Sequence, residues 1–279
     1  MNGSLNEPAF VDTQYQDTTR LNARLRLHQE CSTNSYGWHR WLFDRLSFPP
    51  CARILELGCG TGAVWAENQD RLGQDLNLIL SDRFLAMVKQ ARLKMKESVL
   101  SMQYAGIDAG AVPLETGSMD AVVANHMLYH AVNLPGVLAE ITRVLKPGGV
   151  LYAATNGMDH LKEIDDLLAR LDPALARYGN RMDSSFSLEN GECVLQHYFR
   201  EIKMTCYPDS LLVNDEHLLA DYILSLGNKL SAEKEHEVRV KLREIMANNG
   251  GILAVRKNSG VFEARRPMPG VRPGAGDNG

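Results

Sequence analysis

Few folds accommodate Ile54-Leu55-Glu56-Leu57-Gly58-Cys59-Gly60-Thr61-Gly62, a short apolar run with an acid inside it, followed by three glycines at every second position. A continuous apolar run of this length is the pattern of a parallel strand covered on both faces. Glycines directly after it let the backbone turn tightly and approach a ligand where a Cβ would collide. Ala63-Val64-Trp65-Ala66-Glu67 is compatible with a helix. The expectation is therefore a strand, a ligand-binding turn, and a helix whose N-terminus faces the same crevice.

The glycine spacing separates two kinds of ligand. A dinucleotide fingerprint reads G-x-G-x-x-G and brings a pyrophosphate to the helix N-terminus. Here Gly62 follows Gly60 by two residues, and Ala63 stands where the third fingerprint glycine would be. Glu56 is a poor neighbour for phosphate and suits a cationic ligand better. The E-x-G-x-G-x-G pattern resembles motif I of the class I S-adenosylmethionine (SAM) dependent methyltransferases. That resemblance implies that Glu56, Gly58, Cys59 and Gly60 lie against SAM, with S-adenosylhomocysteine as the product. An NAD(P)-dependent oxidoreductase is the less favoured alternative.

Three later segments agree, in order. Leu76-Asn77-Leu78-Ile79-Leu80 ends at Ser81-Asp82, 26 positions after Glu56. An acid near this offset in nucleotide-binding α/β units accepts hydrogen bonds from ribose hydroxyls. Asp82-Arg83-Phe84-Leu85-Ala86-Met87 also resembles the family's D-x-S-x-x-M segment, with Phe84 in place of Ser. The stretch Gly106-Ile107-Asp108-Ala109 through Val112-Pro113-Leu114 and Met119-Asp120-Ala121-Val122 resembles its G-D-A-x-x-L-P and F-D-x-V pattern. By that resemblance Asp108 accepts from the adenine amino group and the Ala109 backbone contacts the ring. Leu138 through Tyr152, with Lys146-Pro147-Gly148-Gly149 at its centre, resembles the helix, turn and fifth strand of ubiquinone and menaquinone C-methyltransferases.

Strands alternating with helical stretches predict an α/β fold with a doubly wound, mostly parallel sheet. The resemblance makes this the seven-stranded, Rossmann-like SAM methyltransferase fold. Residues 1–46, including Tyr15, Arg20, Arg24, His28, Tyr36, Trp38, His39 and Trp41, read as a helical preface capping the active site. Trp38 and Trp41, at i and i+3, read first as core packing. The methyltransferase domain is expected over 47–264, with a lid insertion at about 158–195 after the fifth strand. Strand-like character in 198–213 and 260–264 supplies the sixth and seventh strands, with helices at 215–227 and 231–247. Residues 265–279, rich in Pro, Gly and Arg, read as a disordered tail.

Composition narrows the setting. With 44% hydrophobic and 23% charged residues, the 279-residue chain is ordinary for a soluble globular protein. A net charge of −4 gives no electrostatic footprint for nucleic acid. No apolar stretch approaches the roughly 18 residues of a membrane span, and the polar start is unlike a signal peptide. These features point to a cytoplasmic protein with no membrane and no nucleic-acid partner, and they are compatible with a homodimer. Five cysteines without a C-x-x-C pair fit reduced thiols rather than a metal site.

Chemistry is expected in Asn125-His126-Met127-Leu128-Tyr129-His130, directly after the fourth strand. By the resemblance this position faces the reacting methyl, so that Asn125 touches the cofactor or the acceptor. His126 is the first candidate for a base, because imidazole titrates near neutral pH, and Tyr129 and His130 are placed to line the pocket. Packing or capping is the competing role for either histidine, and methyl transfer by alignment alone needs no base. The Asn/Asp-Pro-Pro-aromatic run of nucleic-acid amino methyltransferases and the double-glutamate loop of protein arginine methyltransferases are both missing here. So is a metal-holding carboxylate cluster of the catechol type. The expected activity is methyl transfer to an O, N or C atom of a small molecule, with a specialised metabolite as the acceptor. A SAM-binding partner or sensor without turnover is the alternative.

Overall fold

A computed structural model of the chain describes residues 18–73, 75–96, 98, 101–172, 175, 185–226 and 230–268. Seven strands form one sheet: β1 (Arg53–Leu57), β2 (Asn77–Asp82), β3 (Ser101–Gly106), β4 (Met119–Asn125), β5 (Leu145–Asn156), β6 (Phe199–Val213) and β7 (Leu253–Pro267), in the order β3-β2-β1-β4-β5-β7-β6. The pairs β1/β2, β2/β3, β1/β4 and β4/β5 are parallel, and β5/β7 is antiparallel. The expected α/β architecture is therefore present, and strand order reverses beside β1, where such sheets bind ligands.

Residues alternate between the two faces along the central strands, and each face has its own core. Leu55, Leu57, Val122, Ala124, Leu151 and Ala153 pack on one side. Ile54, Leu78, Leu80, Ala121, Val123 and Tyr152 pack on the other. Helices α1 (Thr18–Cys31), α2 (Trp38–Phe43), α3 (Ala63–Ala66), α4 (Leu85–Lys94), α5 (Leu134–Val144), α6 (Lys162–Leu171), α7 (Gly191–Leu195), α8 (Glu216–Leu226) and α9 (Ala232–Asn248) complete the described elements. The first face is covered by Val137, Leu138, Ile141 and Val144 of α5, and the second by Trp41 and Leu42 of α2 and Val64 and Trp65 of α3. Helix α5 begins at Asn133, whose side chain accepts from the Gly136 N–H at 3.1 Å.

The chain divides into two compact units. The sheet unit comprises residues 36–157, 184–207 and 259–279. A helical unit comprises residues 1–35, 158–183 and 208–258 and is built round Leu27, Leu168, Leu211, Val213, Leu219 and Leu242. Of the expected preface, α1 falls in the helical unit and α2 in the sheet unit, because Leu27 and Trp41 enter different cores. Residues 185–195 of the expected lid likewise belong to the sheet unit, where Phe186 and Leu195 are buried. The tail expected from Arg265 is strand as far as Pro267, with Arg265 paired to Val150; Pro269 to Gly279, like Tyr15, lie outside the described residues. No helix of the described residues is long and apolar enough to cross a membrane.

Candidate active site

The site is built in the sheet unit from the C-terminal ends of β1, β2 and β4. Leaving β1, the chain enters the glycine turn, which the Cys59 N–H ties to the end of β2 by donating to the Ser81 carbonyl at 2.8 Å. Gly58 has φ +67°, and a Cβ there would stand 2.8 Å from the Cβ of Met127, so the turn and the segment after β4 approach as closely as backbone allows. Gly60 has φ +53°, and an added Cβ would meet nothing within 4 Å; this turn faces open space.

Asp82 lies under the turn. One carboxylate oxygen accepts from the Gly60 N–H at 3.0 Å and the other from the Phe84 N–H at 2.8 Å. Burial raises its pKa above the ordinary carboxylate range, while those two backbone donors work in the opposite sense. Each oxygen keeps acceptor capacity, so a fixed carboxylate is presented beside a glycine whose backbone is open to a ligand. Phe84, not Asp82, is the residue preceding the first turn of α4, so Asp82 forms a local turn with its bond to Phe84 and does not cap the helix.

Asp108 follows β3. The Ile107 N–H donates to the Asp82 carbonyl at 3.2 Å, which sets Asp108 and Ala109 next to the end of β2. Asp108 is exposed and accepts from the Gly110 N–H at 2.9 Å, and Ala109 packs partly against the core. Leu85 is 62% exposed and sits over Gly106, where a Cβ would come within 2.7 Å of its Cδ2. The lip beside Asp108 is thus apolar. Arg83 is exposed, with its guanidinium 5.8 Å from the centre of the Phe84 ring.

Glu56 and Cys59 depart from the picture of side chains open to a ligand. Glu56 is 1% exposed, and its Oε2 accepts from the Trp65 indole N–H at 2.7 Å, so its carboxylate secures α3 beneath the turn. Burial pushes its pKa up to about 7, against the pull of the Trp65 hydrogen bond, and the nearby Asp82 charge adds to the rise. The Cys59 thiol is buried and its pKa is raised, first by burial and then by Glu56.

After β4, Asn125 accepts at Oδ1 from the Trp38 indole N–H at 3.2 Å. His126 has φ +53°, a left-handed conformation uncommon outside glycine, and its N–H donates to the Ala154 carbonyl at 3.0 Å. Its ring centre lies 4.8 Å from that of Trp38 and 6.4 Å from that of Tyr129. Tyr129 lies 4.5 Å from His130, which is exposed. The structure therefore brings Asn125, His126 and Tyr129 together on one turn. The bond from Trp38 escaped the sequence reading, since the Trp38/Trp41 spacing signals only a buried helix face.

The glycine turn, the fixed Asp82 carboxylate and the apolar lip next to Asp108 lie together at the ends of β1, β2 and β3. Residues 55–153 match the family described as methyltransferase domain. These residues carry a methyltransferase domain. Over 204 residues the chain is 28% identical to the malonyl-[acyl-carrier protein] O-methyltransferase of Legionella pneumophila, covering 71% of this chain and 65% of that protein. Over 105 residues it is 37% identical to a ubiquinone biosynthesis O-methyltransferase of Xanthomonas oryzae, covering 37% of this chain and 43% of that protein. It thus spans less than two thirds of the length of either relative. The fold is similar to that of an N-methyltransferase from Haemonchus contortus solved with phosphomonomethylethanolamine and S-adenosylhomocysteine (TM-score 0.54, 16% identity, covering 95% of this chain and 60% of that one).

Proposed function

We propose that the protein transfers the methyl group of SAM to a small-molecule acceptor. The observation that carries this reading is the Asp82 carboxylate, held by the Gly60 and Phe84 N–H groups at the open glycine turn. The residues present fit the cofactor: Asp82 can take hydroxyl hydrogens, Asp108 an exocyclic amino group, Leu85 and Ala109 a flat ring, and the Gly58–Gly60 backbone the amino-acid end. When bound, SAM supplies an electrophilic methyl for in-line displacement, in which the bond from sulfur breaks as the bond to the acceptor forms.

The chain's own part is alignment and, for an acceptor that carries a proton, removal of that proton. His126 is the proposed base, set by its strained backbone at the end of β4, with Tyr129 and His130 lining the acceptor side. Both relatives are named as O-methyltransferases, which favours oxygen as the methylated atom. The likeness to the second spans 37% of this chain, and the identity to the first is 28%. A specialised metabolite is the acceptor class proposed.

Incubation with SAM carrying a CD3 methyl and a broad metabolite extract, read by mass spectrometry, tests the proposal. Products that gain the labelled methyl are expected. A protein that binds SAM but labels nothing, from extracts of several sources, would favour the reading of a SAM-binding partner without turnover.

A further inference from the structure

Trp38 stands on α2, far from β4 in sequence, yet its indole N–H reaches Asn125 Oδ1 at 3.2 Å. An indole N–H can only donate, so the amide atom facing it is the oxygen and the NH2 is turned away from Trp38. Two residues on, the Met127 side chain packs against Gly58, so the segment that carries Asn125 passes close to the glycine turn.

The Trp38 ring is held on several sides. Trp41 stacks at 5.2 Å and 28°, His126 lies at 4.8 Å and 46°, and Tyr207 meets it edge-on at 5.4 Å. Helix α2 is in turn fastened to the segment after the glycine turn. His39 meets Glu67 at 2.9 Å, Arg40 meets Asp70 at 3.1 Å, Arg71 pairs with Asp44, and the Asn68 side chain donates to the His39 carbonyl at 3.2 Å. Exposed ion pairs of this kind contribute little stability each, but together they fix where α2 presents its indole.

We propose that Trp38 is a positioning residue: its N–H locks the Asn125 amide so that the NH2 is offered to the carboxylate of the cofactor's amino-acid end. The inference rests on the SAM reading above. An Asn amide without such a lock has two orientations of similar shape, one of which would set its oxygen against that carboxylate. Trp38 carries the choice between them.

Calorimetric titration of the full chain with S-adenosylhomocysteine tests this in a double-mutant cycle. Trp38→Phe keeps an aromatic ring between Trp41 and His126 and removes only the donor. It is expected to weaken binding about 3- to 10-fold, Asn125→Ala by a similar factor, and the double variant no more than Asn125→Ala alone. Asn125→Asp keeps an acceptor for Trp38 but replaces the NH2, and is expected to bind at least as weakly as Asn125→Ala. Wild-type binding with unchanged affinity in Trp38→Phe, or with the two effects adding, would overturn the positioning role. A wild-type chain that does not bind S-adenosylhomocysteine would overturn the SAM reading instead, and the inference with it.

Discussion

Glu56 shows how one residue can meet two demands. Its position in the turn motif was legible from sequence, because an acid before three glycines is a rare pattern; its partner Trp65 was not, since nothing in the spacing announces a bond between them. Its pKa of about 7 fixes the sign of a pH effect. Between the ordinary carboxylate value and about 7 the folded chain holds a proton that the unfolded chain has released, so stability falls as pH rises through that window and levels off above it. Glu56→Gln keeps an acceptor for Trp65 without the charge. It should abolish this slope, worth on the order of 3 kcal/mol between about pH 5 and pH 8 in the wild type. Denaturant unfolding at both pH values measures it, and equal slopes in the two proteins would contradict the assignment. At His126 the expectation is kinetic: His126→Ala should lower turnover by about 10²- to 10⁴-fold while binding of S-adenosylhomocysteine is kept. Full turnover at saturating acceptor would end the base role. Asp82 and the glycines were legible for a related reason, since backbone demands are written in residue type. The Trp38–Asn125 bond joins residues 87 positions apart and leaves no local trace.

At the scale of elements, the central strands were legible because both faces are buried and their sequences run apolar without break. Beyond β5 the sequence also marked β6 and the helices at 216–226 and 232–248 within a few residues. The grouping of those elements was not legible, because it depends on which core each apolar face enters. In the helical unit one buried contact ties three segments. Asp209, in the second half of β6, pairs with Lys257 of β7, and their side chains are 0% and 11% exposed. Asp209 also accepts from Ser32 Oγ at 2.8 Å and the Asn34 N–H at 3.1 Å. Burial acts to raise its pKa, but the Lys257 and Ser32 hydrogen bonds outweigh it and hold the carboxyl below its usual range. Lys257→Ala leaves that carboxylate buried without its cation. The expected loss is about 3–5 kcal/mol of stability, read by denaturant unfolding. A loss below about 1 kcal/mol would show that the Ser32 and backbone donors suffice alone.

The whole molecule places every candidate site residue in the sheet unit, at the strand ends where the order of the sheet reverses. Occupation of that site should stabilise the fold by mass action. S-adenosylhomocysteine at 100 times its dissociation constant is worth about 2.7 kcal/mol and should raise the melting temperature by several degrees. Loss of the Asp82 carboxylate should remove most of that effect, because its oxygens, fixed by the Gly60 and Phe84 N–H groups, make the proposed ribose contact. The most direct test is calorimetric titration of S-adenosylhomocysteine into the wild-type chain and Asp82→Ala side by side. Saturable one-site binding by the wild type, weaker in the variant by about 1.5–3 kcal/mol, is the predicted result. No binding by the folded wild type, or the same affinity in both, would contradict a SAM site at the glycine turn and Asp82.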